Sequence, residues 1–224
     1  MIQCTGLMTF LSGGSVFPIV IQIDGITYIQ AGKIKKDQLL ERFHKSVLIT
    51  KRSIESHFQQ EFHNRIEIII TSNAQEFTKL TGFNWRTGGI FQKGRGKLIF
   101  QNLNSLYGQG LIEPLLRHEL CHAMFDQFRF KDIVLEEALC LAYAGLNYQL
   151  EPSGTLSKNL DQFKKKMQIN LKNTGNRRRK AYAILSFWGA ELLTREPMLF
   201  WVKNGSAQLE QKSFQKLRKK LEWK

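Results

Sequence analysis

The chain has 224 residues, of which 42% are hydrophobic and 11% aromatic, a composition that excludes wholesale disorder and collagen-like or coiled-coil classes. Its longest apolar runs are far shorter than the roughly 20 residues that cross a bilayer, so no membrane span is expected. The formal net charge is +14, and from residue 151 onward 17 Lys or Arg accompany 6 Asp or Glu, a net of +11. The basic character therefore belongs to the C-terminal part.

The N-terminal part predicts a β-hairpin followed by a long helix. Two runs rich in β-branched residues, 17–23 and 26–30, flank Asp24-Gly25, a dipeptide typical of a two-residue type I′ turn. Residues 36–62 then carry apolar side chains close to the 3.6-residue period of an amphipathic helix, which we expect to lie across a sheet. These apolar residues are Leu40, Phe43, Val47, Ile54 and Phe58.

Short strands and one short helix are predicted in the middle of the chain. Residues 65–71 form a strand candidate, and a helix through residue 80 follows, which Gly82 can end. Two further strands, at 89–92 and 97–101, are separated by a turn containing Gly94 and Gly96. The remaining chain reads as helices at 111–127, 133–148, 156–171, 178–195 and 206–222.

Strands early in the chain and helices late predict an α+β fold with a small mixed or antiparallel sheet. We expect an N-terminal hairpin region over residues 1–32 and a single domain over residues 33–224 whose C-terminal part is helical and basic. No internal repeat or clear linker divides the chain.

The cysteines and the N-terminus indicate a reducing compartment. Cys4, Cys121 and Cys140 are odd in number and scattered, which predicts no disulfide framework. The first residues carry no basic segment followed by a long apolar stretch, so no secretory signal is expected and a cytoplasmic location is favoured. Cys121 and Cys140 are expected to be small buried side chains.

The helix at 111–127 contains His118-Glu119-Leu120-Cys121-His122, which matches the pattern HExxH. Residues four apart lie on one face of a helix, so both imidazoles can bind one zinc ion, and Glu119 can hold a water beside it. The flanking residues are mostly apolar, and buried imidazole and carboxylate groups need partners that a metal can supply.

A catalytic zinc takes a third protein ligand, which must come from another element. The other histidines, His44, His57 and His63, all precede the motif. Asp126 lies about 12 Å from His118 along the same helix axis, whereas ligand atoms on one zinc are only about 3 to 3.5 Å apart. The next helix carries two adjacent acids in an apolar surface, so either Glu137 or Glu136 is a candidate ligand.

HELCH followed by a Leu-Glu-Glu-Ala-Leu helix resembles the gluzincin metallopeptidases, in particular their minimal peptidase MA-like members. The order of elements is also similar, and the likeness covers about residues 36–200. It implies a zincin-like fold in which Glu137 is the third zinc ligand, with Val134 in place of the usual Trp and Ala138 in place of the usual Gly. Tyr143 lies one residue further from the Glu than the family's common tyrosine.

The resemblance implies that this protein hydrolyses peptide bonds with a zinc-activated water and Glu119 as general base. The oxyanion needs a further donor, for which Tyr182 and Tyr143 are candidates, and a core aromatic side chain is the alternative interpretation of each. The strand at residues 89–92 would be the edge strand that pairs with an extended peptide or protein substrate.

Two other readings of the sequence compete with an active peptidase. The missing Trp and Gly favour a zincin-fold binding or regulatory protein of weak or no activity. The basic C-terminal segments, at residues 164–166, 177–180 and 216–220, favour association with nucleic acid or another anionic polymer. The alternative interpretation is that these segments are solvated helix faces without a binding function.

Overall fold

The computed structural model describes residues 19–23, 26–30, 38–63, 65–83, 87–146, 156–157, 159–173 and 175–222. The strands in these ranges are β1 (Ile19–Ile23), β2 (Ile26–Gln30), β3 (Glu67–Ile70), β4 (Gly89–Gln92) and β5 (Lys97–Phe100). The helices are α1 (Gln38–Phe58), α2 (Ala74–Thr81), α3 (Leu103–Gly108), α4 (Ile112–Gln127), α5 (Ile133–Ala144), α6 (Leu160–Lys172), α7 (Asn176–Leu193), α8 (Met198–Asn204) and α9 (Ala207–Glu222).

The five strands form one mixed sheet in the order β1-β2-β3-β5-β4. The pairs β1/β2 and β4/β5 are antiparallel, whereas β2/β3 and β3/β5 are parallel. The α+β class with a small mixed sheet is therefore confirmed. Because β2 pairs with β3, the N-terminal hairpin belongs to the same sheet as the later strands.

The predicted hairpin is confirmed, since Ile23 pairs with Ile26 across a two-residue connection. The turn itself, Asp24-Gly25, lies outside the described residues. The other predicted strands and helices are also present, with ends that differ by a few residues. Two helices were not predicted, α3 and α8, because six and seven residues are too few for a helical period to stand out.

The described residues group into two compact units. The first contains residues up to 51 and residues 62–123, and so includes the sheet. Here α1 packs on the sheet as predicted, because the Phe43 ring meets the rings of Phe100 and Tyr28 edge to face at centroid distances of 5.6 and 6.4 Å. The Tyr28 hydroxyl is also 2.7 Å from Nδ1 of the buried His44.

The second unit contains residues 52–61 and the chain from residue 124 onward, and it is helical. Its core is aromatic, with Phe163 of α6 between Trp188 of α7 and Phe214 of α9 at centroid distances of 5.4 and 4.8 Å. Within this unit α7 packs closely on α5. A Cβ atom added at Gly189 would overlap the carbonyl oxygen of Ala138, so the two backbones approach where α7 has no side chain.

Among the described helices, none combines the length and the apolar character that a bilayer crossing requires.

Candidate metal centre

Helix α4 carries the two histidines of the HExxH pattern on one side. His118 and Glu119 are buried and His122 is half-buried. The opposite positions, among them Leu116, Leu120 and Met124, are fully buried in the apolar interior, which explains why the helix forms at this place in the chain. The spacing of four residues therefore brings both imidazoles to one face, as predicted.

The two imidazoles have the geometry of a pair that can share one ion. Their Nε2 atoms lie 3.2 Å apart, and the ring planes are nearly perpendicular at 88°. Two nitrogen ligands at about 2.0 to 2.1 Å from a tetrahedral zinc would be about 3.3 Å apart. The observed separation fits that value without any movement of the helix.

Helix α5 brings Glu137 to the two histidines. His118, His122 and Glu137 each offer one ligand atom, and these three atoms lie within 4.8 Å of one another. All three residues belong to one continuous stretch of chain, which forms the end of α4, a short turn and the start of α5. In the turn Arg129 adopts a left-handed φ of 54°, and the backbone N–H of Phe130 donates to the carbonyl of Phe125, which ends α4.

The structure brings together Glu137, and not Glu136, with the histidine pair. Glu136 is buried on α5 but does not belong to this group. Asp126, Cys121 and Cys140 also lie outside the group, and both cysteines are fully buried, as expected of small core side chains. Among the residues that the structure describes, the side chains that converge as a candidate metal site are those of His118, His122 and Glu137.

The donor set suits zinc. Two imidazole nitrogens and one carboxylate oxygen form the His₂Glu set of catalytic zinc sites, whereas magnesium and calcium prefer oxygen ligands alone. Three protein ligands leave the fourth tetrahedral position for water or substrate. The residues present therefore fit a catalytic zinc site.

Glu119 is held by the edge strand of the sheet. Its Oε2 atom accepts a hydrogen bond of 2.6 Å from the backbone N–H of Phe91 on β4, the strand at one end of the sheet. A Cβ at Gly89 would lie 2.8 Å from the Phe100 ring and 3.5 Å from Cγ of Glu119, so glycine allows β4 to come this close. The carboxylate is thus oriented by a main-chain donor.

The two tyrosines predicted to stabilise an oxyanion have other partners. The Tyr182 hydroxyl accepts hydrogen bonds from Nε and Nη2 of Arg178, at 2.9 and 2.6 Å. The Tyr143 hydroxyl is 2.9 Å from Oγ of Ser53, and its ring meets that of His57 edge to face. The catalytic role of Tyr182 stays a prediction.

Two features of this region were not anticipated from sequence. The hydrogen bond from the Phe91 N–H could not be predicted, because a backbone donor leaves no pattern in the sequence of side chains. Asp132 caps the N-terminus of α5, its Oδ1 accepting from the N–H groups of Val134 and Leu135 at 3.1 and 3.0 Å. An Asp just before an apolar helical run is a recognisable capping signal and could have been read as one.

Comparison of the sequence with models of protein families gives no match, and comparison with curated proteins gives no significant match.

Proposed function

We propose that this protein is a zinc metallopeptidase of the gluzincin type, which hydrolyses peptide bonds in a peptide or protein substrate. The observation that carries the proposal is the convergence of ligand atoms from His118, His122 and Glu137. Glu119, the proposed base, follows His118 directly in the sequence. The resemblance of HELCH and the following Leu-Glu-Glu-Ala-Leu helix to gluzincins supports the same class.

In this proposal the residues divide the chemistry among them. His118, His122 and Glu137 hold the metal, and Zn²⁺ so bound supplies a Lewis acid and lowers the pKa of a water toward 7. Glu119 takes the proton of the attacking water and passes it to the departing amine. Its hydrogen bond from Phe91 keeps the carboxylate in one orientation, so little reorganisation is needed when the proton moves. Tyr182 remains the proposed donor to the oxyanion.

Removal of the metal is expected to abolish hydrolysis. Purified protein should contain about one zinc per chain, and a chelator should remove both the zinc and the cleavage of a mixed peptide library. Added zinc should restore both, because the ligands on α4 and α5 are part of the fold. Protein that binds no zinc, or that cleaves peptides equally well without it, would contradict the proposal.

The two adjacent acids of α5 provide the matched comparison. Glu137→Ala should weaken zinc binding about 100-fold or more, since it removes one of three ligands, whereas Glu136→Ala should retain one zinc per chain. Metal analysis after dialysis against a weak chelator separates the two outcomes. The reverse order of effects would make Glu136 the ligand.

Binding of an anionic polymer is a second candidate function, favoured by one face of α9. The helix buries Glu210, Ser213, Phe214 and Leu217 on one side. Its exposed lysines are Lys212, Lys216, Lys219 and Lys220. Lys216 and Lys220 also contact Glu191, but a single carboxylate does not neutralise this face. Such a lysine row is suited to the phosphates of nucleic acid.

We expect salt-dependent binding to a DNA duplex that weakens when two lysines of α9 are neutralised. The double variant Lys212→Gln/Lys219→Gln should lower the slope of log K against log salt by about two, because each lost phosphate contact removes about 0.9. Fluorescence anisotropy at several salt concentrations measures this. The control Lys45→Gln/Lys79→Gln makes the same charge change at exposed positions of α1 and α2. Equal effects of both variants would argue against a site on α9.

A further inference from the structure

Lys164 of α6 joins several helices of the second unit through its ammonium group. Its Nζ atom lies 2.6 Å from Oδ2 of Asp132 and also forms an ion pair with Glu210 of α9. It lies 5.8 Å from the centre of the Trp188 ring of α7. The side chain is only 21% exposed, so this member of the basic segment at residues 164–166 is used inside the fold and not on a basic surface.

Burial by itself would lower the pKa of the Lys164 ammonium. The hydrogen bonds and the negative charges of Asp132 and Glu210 outweigh it and raise that pKa above its ordinary value. The ammonium therefore stays charged and balances two carboxylates that would otherwise repel each other.

Asp132 is the residue through which this network reaches the metal ligand. Its Oδ1 atom accepts from the first N–H groups of α5, while its Oδ2 atom accepts from Lys164. The same carboxylate thus caps α5 and ties the start of this helix to α6. Glu137 follows five residues later on α5, about 7.5 Å along the helix axis.

We propose that Lys164 is a positioning residue for the metal site. By holding Asp132 it fixes the start of α5, so that the Glu137 carboxylate stays within reach of both imidazoles. A metal site needs its ligands within a few tenths of an ångström of the right positions, so a small shift of the ligand helix weakens binding. This inference rests on the proposed function, because it concerns the same metal.

A second ion cluster in the same unit separates positioning from general stabilisation. Glu191 of α7, whose side chain is 4% exposed, contacts Lys216 and Lys220 of α9 at 2.8 and 3.4 Å, and Arg195 at 3.4 Å. These contacts involve α7 and α9 and leave α5 aside. Breaking this cluster is expected to destabilise the unit without moving Glu137.

The test compares zinc affinity with stability in Lys164→Met and Glu191→Gln. Zinc affinity is measured by competition with a chromophoric chelator, and stability by urea unfolding of the zinc-free proteins. Lys164→Met should bind zinc about tenfold to 100-fold more weakly, the range typical when support for a ligand is lost. Glu191→Gln should lose stability and keep the wild-type zinc affinity. Asp132→Asn retains a capping oxygen but loses the charge, so it should also weaken zinc binding. This variant provides the test if Lys164→Met does not fold.

Unchanged zinc affinity in both Lys164→Met and Asp132→Asn would overturn this inference and leave the proposed function intact. Equal weakening by Glu191→Gln would overturn it as well, since the effect would then come from stability alone. Wild-type protein that binds no zinc would instead overturn the proposed function, and this inference with it.

Discussion

Glu119→Gln is expected to abolish peptide hydrolysis while zinc remains bound. The amide oxygen of Gln can still accept the hydrogen bond from the Phe91 N–H, so the side chain should keep its place between α4 and the edge strand. It cannot take up a proton, and loss of a positioned general base costs about 10²- to 10⁴-fold in rate. The measurement is the rate of library cleavage together with the zinc content of the same sample.

The comparison with Glu119→Ala makes this result specific. Alanine removes both the base and the acceptor for the Phe91 N–H, so it should also destabilise the protein, which glutamine should not. Wild-type cleavage that survives in zinc-loaded Glu119→Gln would show that another group acts as the base. Zinc-loaded wild type that cleaves nothing would contradict the proposed peptidase activity and leave the metal site intact.

Gly189→Ala is expected to destabilise the helical unit, although alanine has a higher helix propensity than glycine. The added methyl group would overlap the carbonyl oxygen of Ala138, a backbone atom that cannot turn aside, and would press on Cβ of Ala142 at 3.0 Å. The two helices must then separate, which costs about 1 to 3 kcal/mol or more in unfolding free energy. Because Ala138 follows Glu137 directly, zinc affinity should fall as well.

Gly108→Ala is the matched control for this substitution. Gly108 is also helical, at the end of α3, and a Cβ there would meet nothing within 4 Å. The same added methyl should be neutral or stabilise the protein by up to about 1 kcal/mol, since alanine is the better helix former. Urea unfolding of both variants decides the matter, and a neutral Gly189→Ala would show that α5 and α7 can move apart at little cost.

Local patterns were enough to predict most of the elements. The Asp-Gly connection predicted the hairpin, and the apolar stripe from Leu40 to Phe58 predicted α1, because both depend on contacts between residues close in sequence. The predicted division of the chain into an N-terminal hairpin region and one domain from residue 33 onward stays a prediction. The hairpin joins the common sheet through β3, a pairing between residues forty positions apart that no local pattern contains.

The sequence alone determined that His118 and His122 share a helix face beside Glu119, since a spacing of four residues has only one geometric outcome in an α-helix. Neighbouring residues on a helix point about 100° apart, so whether Glu136 or Glu137 turns toward those histidines depends on how α5 is rotated. That rotation is set by contacts from remote parts of the chain, with Gly189 against Ala138 and Lys164 on Asp132. Only the tertiary structure could therefore select the carboxylate that completes the site.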